Sequence, residues 1–162
     1  MWRVRPGRGA LLAAGLGVLL SGCALAADPA PAVRRLAEVG QLQTTGFDAA
    51  VQLVIADQAS WRDAWFRMVS LRRPVPSPPE IDFTKEIVVV VAMGQQRSGG
   101  HSVRIVAVER LASGVRVQAV LEQPGAGCIT SANITSPADV VVLPVTVRPV
   151  TFDLRRVTRD CN

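Results

Sequence analysis

The sequence predicts a single α+β domain: a mainly antiparallel β-sheet of five to seven strands with one main α-helix packed on it. Three observations predict it. One segment near residue 65 spaces its apolar residues as a helix does, and the later segments are β-branched and divided by Gly and Pro. The chain has 162 residues, 49% hydrophobic and 19% charged, enough for one core and too few for two comfortable ones. That composition excludes a disordered chain. With aromatics at 4% and no Tyr, a base-stacking surface is not expected either.

The elements follow in order. Residues 51–55, VQLVI, read as a strand. Asp57 to Ser60 form a turn leading into a helix, with Ser60 as the capping residue and Asp63 three positions on as a weak capping box. Trp61, Ala64, Trp65, Met68 and Val69 follow i, i+3, i+4, i+7, i+8 on one helical face ending near Leu71, with Arg62, Asp63 and Arg67 on the polar side. Residues 74–79, PVPSPP, then form a stiff extended connection.

Ile81-Asp82-Phe83 leads into residues 86–94, where Ile87 to Val91 are all β-branched. Such a run indicates a central strand buried on both faces. A loop at 95–100 ends in Gly99-Gly100. Residues 102–111 are the next strand, and 114–125 alternate strictly, with Val115, Val117, Ala119 and Leu121 on one side. The short connection at 112–114 makes these two an antiparallel hairpin. Pro124 to Asp139 is irregular. Residues 140–145, VVVLPV, are a strand whose proline marks an edge or an end, and 150–154, VTFDL, are the last strand.

The N-terminus reads as an export signal over residues 1–22. Arg3, Arg5 and Arg8 precede a short apolar run, ALLAAGLGVLL, and then Leu20-Ser21-Gly22-Cys23. The last four resemble the lipobox of bacterial lipoproteins, in which the cysteine is lipidated and becomes the first residue after cleavage. That resemblance implies lipid (palmitate-type) anchoring of Cys23 and, with Ala24 following, outer-membrane sorting toward the periplasm. Cleavage after Ala26 is the competing reading. Residues 23–40, with Pro29 and Pro31, are expected to be a flexible linker, with a helical turn expected from Val33 to Val39. The domain is then 41–162. Removing Arg3, Arg5 and Arg8 leaves 15 basic residues against 13 acidic ones, a net +2 in place of +5. With a single Lys, Lys85, and no basic stripe, the chain carries no nucleic-acid signature.

Cys128 and Cys161 are the two cysteines left after export, and an exported chain with two thiols is expected to pair them. The bridge would hold the C-terminus. His101 is the one histidine, so a Ser-His or Cys-His site would have to use it. It follows Gly99-Gly100, which reads as a tight turn with positive φ, the His packing beside it. No second His or carboxylate cluster supports a metal, and no G-x-S-x-G, P-loop or dinucleotide fingerprint is present. No cofactor is expected. Asn133-Ile134-Thr135 matches a glycosylation sequon that has no meaning behind a bacterial signal.

Residues 81–155 carry a further pattern: Asp82-Phe83, Met93-Gly94, Gly99-Gly100-His101-Ser102-Val103-Arg104-Ile105, Glu122-Gln123-Pro124-Gly125, Pro137 and Val150-Thr151-Phe152. This resembles the PrcB C-terminal domain family, found in exported bacterial proteins and lipoproteins and named after a protein that assists a surface protease complex. The residue after Gly-Gly is usually Tyr there and is His101 here. The resemblance transfers no catalytic residue. It implies a non-enzymatic envelope lipoprotein that binds another protein, stabilising or restraining an envelope protease. Gly99, Gly100 and His101, with the irregular 124–139 segment, are the candidate partner-binding surface. The alternative is a small-ligand or cell-wall binding module with a pocket lined by Trp61, Trp65 or Phe residues. A third is a hydrolase built on His101.

Overall fold

The protein is described by a computed structural model over residues 30–36, 42–147 and 149–161. Its strands are β1 (Arg34–Arg35), β2 (Val51–Ile55), β3 (Glu86–Ala92), β4 (Ser102–Leu111), β5 (Gly114–Pro124), β6 (Ala138–Pro144) and β7 (Val150–Arg159). The helix α1 spans Gln58–Val69. The strands form two sheets where one was expected. The first has the order β1-β6-β3-β2 and the second β4-β5-β7. All pairs are antiparallel except β5 and β7, which run parallel from Val115↔Val150 to Pro124↔Arg159. The chain returns to β7 through β6 in the other sheet, which supplies the long crossover a parallel pair needs.

The reason for three layers lies in β3 and β6. Val88, Val90 and Ala92 of β3 and Val140 and Val142 of β6 pack toward Trp61, Trp65 and Met68 of α1. The alternate residues Ile87, Val89, Val91, Val141 and Leu143 pack against Val103, Ile105, Val115, Val117, Ala119 and Leu121 of the second sheet. A strand whose successive side chains point to opposite faces needs cover on both. One helix covers one face, and the hairpin β4–β5 with β7 covers the other.

Helix α1 buries the five residues that its periodicity picks out. Its cap is Asp57, where Ser60 was expected. The Asp57 carboxylate accepts from the backbone N–H groups of Ala59 (3.0 Å) and Ser60 (2.9 Å), and the Ser60 hydroxyl donates to it at 2.7 Å. These bonds, Ser60's first, lower the Asp57 pKa. A carboxylate at this end also complements the helix dipole, which a hydroxyl does less well. The helix stops at Val69, with Ser70 as C-cap. Trp61 and Trp65 are fully buried, and their indole N–H groups donate to the carbonyls of Pro79 (3.0 Å) and Pro76 (2.8 Å). The proline segment is thereby tied to the core, where both Trp rings are packed.

Arg34 and Arg35 form a strand on β6 in place of the expected linker and helical turn; residues 37–39 lie outside the described ones. Arg34 pairs with Glu86 at 2.8 Å. Arg35 donates to both carboxylate oxygens of the buried Asp139 at 2.8 Å and also to the carbonyl of Ile105. Asp139 accepts from the Ile105 N–H at 2.7 Å and from its own neighbour Val140 at 3.0 Å. This cluster joins the two sheets where β4 bulges between Ile105 and Ala107. β7 extends five residues beyond the expected 150–154.

Candidate functional site

The two candidate loops lie side by side at one end of the sandwich. Gly94, with φ of +74°, turns the chain out of β3; a side chain there would strike the backbone of Ala49. Gln95 is then tied to Asp48 through its backbone N–H (3.0 Å) and its side-chain amide (2.7 Å). Gln96 and Thr135 exchange backbone hydrogen bonds of 2.7 and 3.0 Å, and the Thr135 hydroxyl donates to the Ser98 carbonyl at 2.8 Å. The Gly99 N–H donates to the Ser131 carbonyl at 2.9 Å. Of the two adjacent glycines, Gly100 alone takes positive φ, +84°. Gly99 is small for another reason: Ser131 Oγ stands 2.5 Å from where its Cβ would be.

Residues 125–136 are held on three sides. Their start is clamped to the C-terminus by a Cys128–Cys161 disulfide and by the Gly125 N–H donating to the Arg159 carbonyl at 2.9 Å. Their middle is held by the 96–99 loop. Their end is buried through Ser136, whose hydroxyl donates to the Phe47 carbonyl at 2.7 Å while Thr45 donates to the Ser136 carbonyl at 2.9 Å. The stretch from Pro124 to Pro137 contains no Asp, Glu, Lys or Arg. Yet Ile129 is fully exposed and Ile134 is 64% exposed. The site is a well-braced, uncharged loop that holds two isoleucines in solvent. Two large apolar side chains held in solvent on a braced backbone make this loop the candidate contact surface.

His101 sits at the base of this surface. Its Nε2 lies 3.4 Å from the Ser98 hydroxyl, and its Nδ1 is buried without a hydrogen-bond partner. Burial pushes its pKa below the usual 6.5. A serine–histidine base needs an acceptor on Nδ1 to hold the ring, and none stands there. Among the described residues, no group of three His, Cys, Asp or Glu side chains could hold a metal ion.

The structure thus brings Gly99 and Gly100 against Thr130, Ser131 and Pro124, and joins Cys128 to Cys161. Cys23 lies outside the described residues. Ile129 and Ile134 are the residues that motif reading passes over. Their signal is two large apolar side chains inside a loop that lacks charge on either side.

Both loops fall inside one family match. Residues 87–144 match the PrcB C-terminal family. The matched stretch runs from the second residue of β3 to the end of β6; α1, β7 and Cys161 lie outside it. No curated protein and no solved structure matches the chain. Among the described residues, no helix is long and apolar enough to cross a membrane.

Proposed function

We propose that the chain is an exported bacterial envelope lipoprotein, anchored through Cys23, that acts as a non-enzymatic protein-binding module stabilising or restraining an envelope protease. The composite loop surface carries this reading: it lies wholly within the PrcB C-terminal match and offers Ile129 and Ile134 on a braced backbone. Burying each isoleucine against a partner is worth about 1.5–3 kcal/mol, and the bracing lowers the ordering cost of binding. The lipobox-like Leu20-Ser21-Gly22-Cys23 and the Ala24 that follows it support a position at the periplasmic face of the outer membrane.

The test is affinity capture of the full-length protein from its own membrane, beside Ile129→Asp and Cys23→Ala forms. The wild type is expected to bring down a protease or its precursor in stoichiometric amount. Ile129→Asp is expected to lose it while melting within a few degrees of wild type. Cys23→Ala is expected to leave the membrane fraction. Capture that survives Ile129→Asp removes the loop from the interface, and a capture holding no specific protein removes the partner.

A further inference from the structure

Two open sheets have four edges, and three of them are blunted. β1 is two residues long. β4 bulges at Val106, and the backbone N–H and C=O of Ile105 are taken by Asp139 and Arg35. β7 carries Asp153, Arg155, Arg156 and Arg159. Short edges, bulges and charges are the devices that stop a sheet from recruiting another strand. β2 has none of them. Its sequence Val-Gln-Leu-Val-Ile holds no charge, Pro or Gly, and it pairs with β3 in unbroken register from Val51↔Ala92 to Ile55↔Val88. Among the described residues, nothing but β3 makes a backbone hydrogen bond to residues 51–55. An unprotected edge is an aggregation hazard in a chain that has protected the others, unless the edge has a use.

The surroundings of β2 are shaped to take a strand. On one face a groove of about 380 Å³ opens between β2 and α1, lined by Phe47, Leu53, Ile55, Ala64, Asp63 and Arg67. On the other face Val54, 41% exposed, stands beside Ala56, Pro149 and Val150 at the start of β7. A strand added to β2 would turn alternate side chains into the groove and the others onto this second apolar surface.

We propose that the β2 edge is a strand-addition site for an extended, uncharged peptide segment of a partner protein, about five residues long with apolar side chains on both faces. Five residues of β2 match about 17 Å of extended chain. An uncharged segment is called for because the strand it joins has no charge, the Val54 surface is apolar, and the two charges of the groove, Asp63 and Arg67, are of opposite sign. The groove accepts side chains of an extended segment. In a second copy Val51, Leu53 and Ile55 of β2 are already packed under its own α1 and do not turn into this groove. The site is separate from the loop surface and does not depend on the function proposed for it.

The test selects a phage-displayed random heptapeptide library on the full-length protein and on its Val54→Lys variant, which adds the charge the edge lacks. Selection is expected to enrich uncharged peptides that bind wild type at least tenfold more tightly than Val54→Lys and slow amide exchange across residues 51–55. N-methylating such a peptide at alternate positions should abolish binding in one register and spare it in the other, a readout that uses the wild-type protein alone. Ile129→Asp should bind the same peptides unchanged. Peptides that ignore Val54→Lys, unchanged exchange at 51–55, or equal effects of both methylation registers would overturn the proposal. So would a wild-type dimer, seen by light scattering, that Val54→Lys dissociates, because the edge would then belong to a second copy.

Discussion

Arg34 and Arg35 are neighbours on β1 with the same chemistry and opposite expected importance. Arg34 pairs with Glu86 where both side chains meet water, 48% and 28% exposed. Such a pair contributes roughly 0–1 kcal/mol. Arg35 is also half exposed, but its partner Asp139 is 1% exposed. Removing one partner of a buried pair costs roughly 3–5 kcal/mol because a charge is left stranded. Asp139 keeps the Ile105 and Val140 N–H donors at 2.7 and 3.0 Å when Arg35 goes, which moderates the loss. Arg35→Ala is therefore expected to cost about 2–3 kcal/mol, or roughly 4–12 °C in Tm for a chain of this size, against under about 0.5 kcal/mol for Arg34→Ala. Asp139→Ala should cost a similar 2–3 kcal/mol, because it strands the Ile105 N–H. The double variant should fall short of the sum by about 1 kcal/mol or more, since the two groups act on each other. Urea unfolding of the four variants beside the wild type measures the free energies, and thermal melts measure the Tm shift. An Arg35→Ala no worse than Arg34→Ala would refute the joint between the sheets and the place of β1 within the domain.

Three further expectations follow from the same structure. Breaking the Cys128–Cys161 bridge with Cys161→Ser frees a loop with a sequence separation of 33. Loop-closure entropy puts the loss at about 3–4 kcal/mol, and a urea midpoint that ignores the substitution would contradict it. Gly94→Ala should be far worse than Gly100→Ala. Both need positive φ, but a Cβ at 94 meets Ala49 backbone at 2.5 Å, whereas one at 100 comes no closer than 3.2 Å, to the Thr130 methyl. We expect more than about 3 kcal/mol against about 1 kcal/mol, from thermal melts. His101 has a pKa lowered by burial, so the unfolded chain takes up the proton first as the pH falls. Stability is then complete above the usual 6.5 and declines as the pH drops below it, and His101→Gln should flatten that decline in urea midpoints taken between about pH 7.5 and 5.

Much of the local structure was legible because it depends on local periodicity. The buried face of α1, the strand at β2, the strict alternation of β5 and the β4–β5 hairpin all follow from spacing over a few residues. Layering was harder, since it depends on what covers each face, although one clue was present. Ile87 to Val91 needs cover on both sides, and one helix supplies one. The parallel β5–β7 pair also had a clue in the cysteines. Cys128 lies just past the end of β5 and Cys161 just past the end of β7, so a bridge between them draws the same ends of both strands together. β1 could not be read at all. Two arginines in a row carry no strand pattern, and their place is set by Glu86 and Asp139, distant residues in the chain. At the site, Gly99 and Gly100 were found for a turn, but only Gly100 uses positive φ. Ile129 and Ile134 were passed over because exposure belongs to the folded loop and not to the residue type.

The most direct measurement is photo-crosslinking in the native membrane, with a photoreactive amino acid at Ile129 and, as a control, at Arg62 on the outer side of α1. The protein-binding account predicts one dominant adduct at position 129, identified by mass spectrometry as an envelope protease or its precursor, and none at 62. Position 129 giving no adduct, or the same adducts as 62, would contradict it.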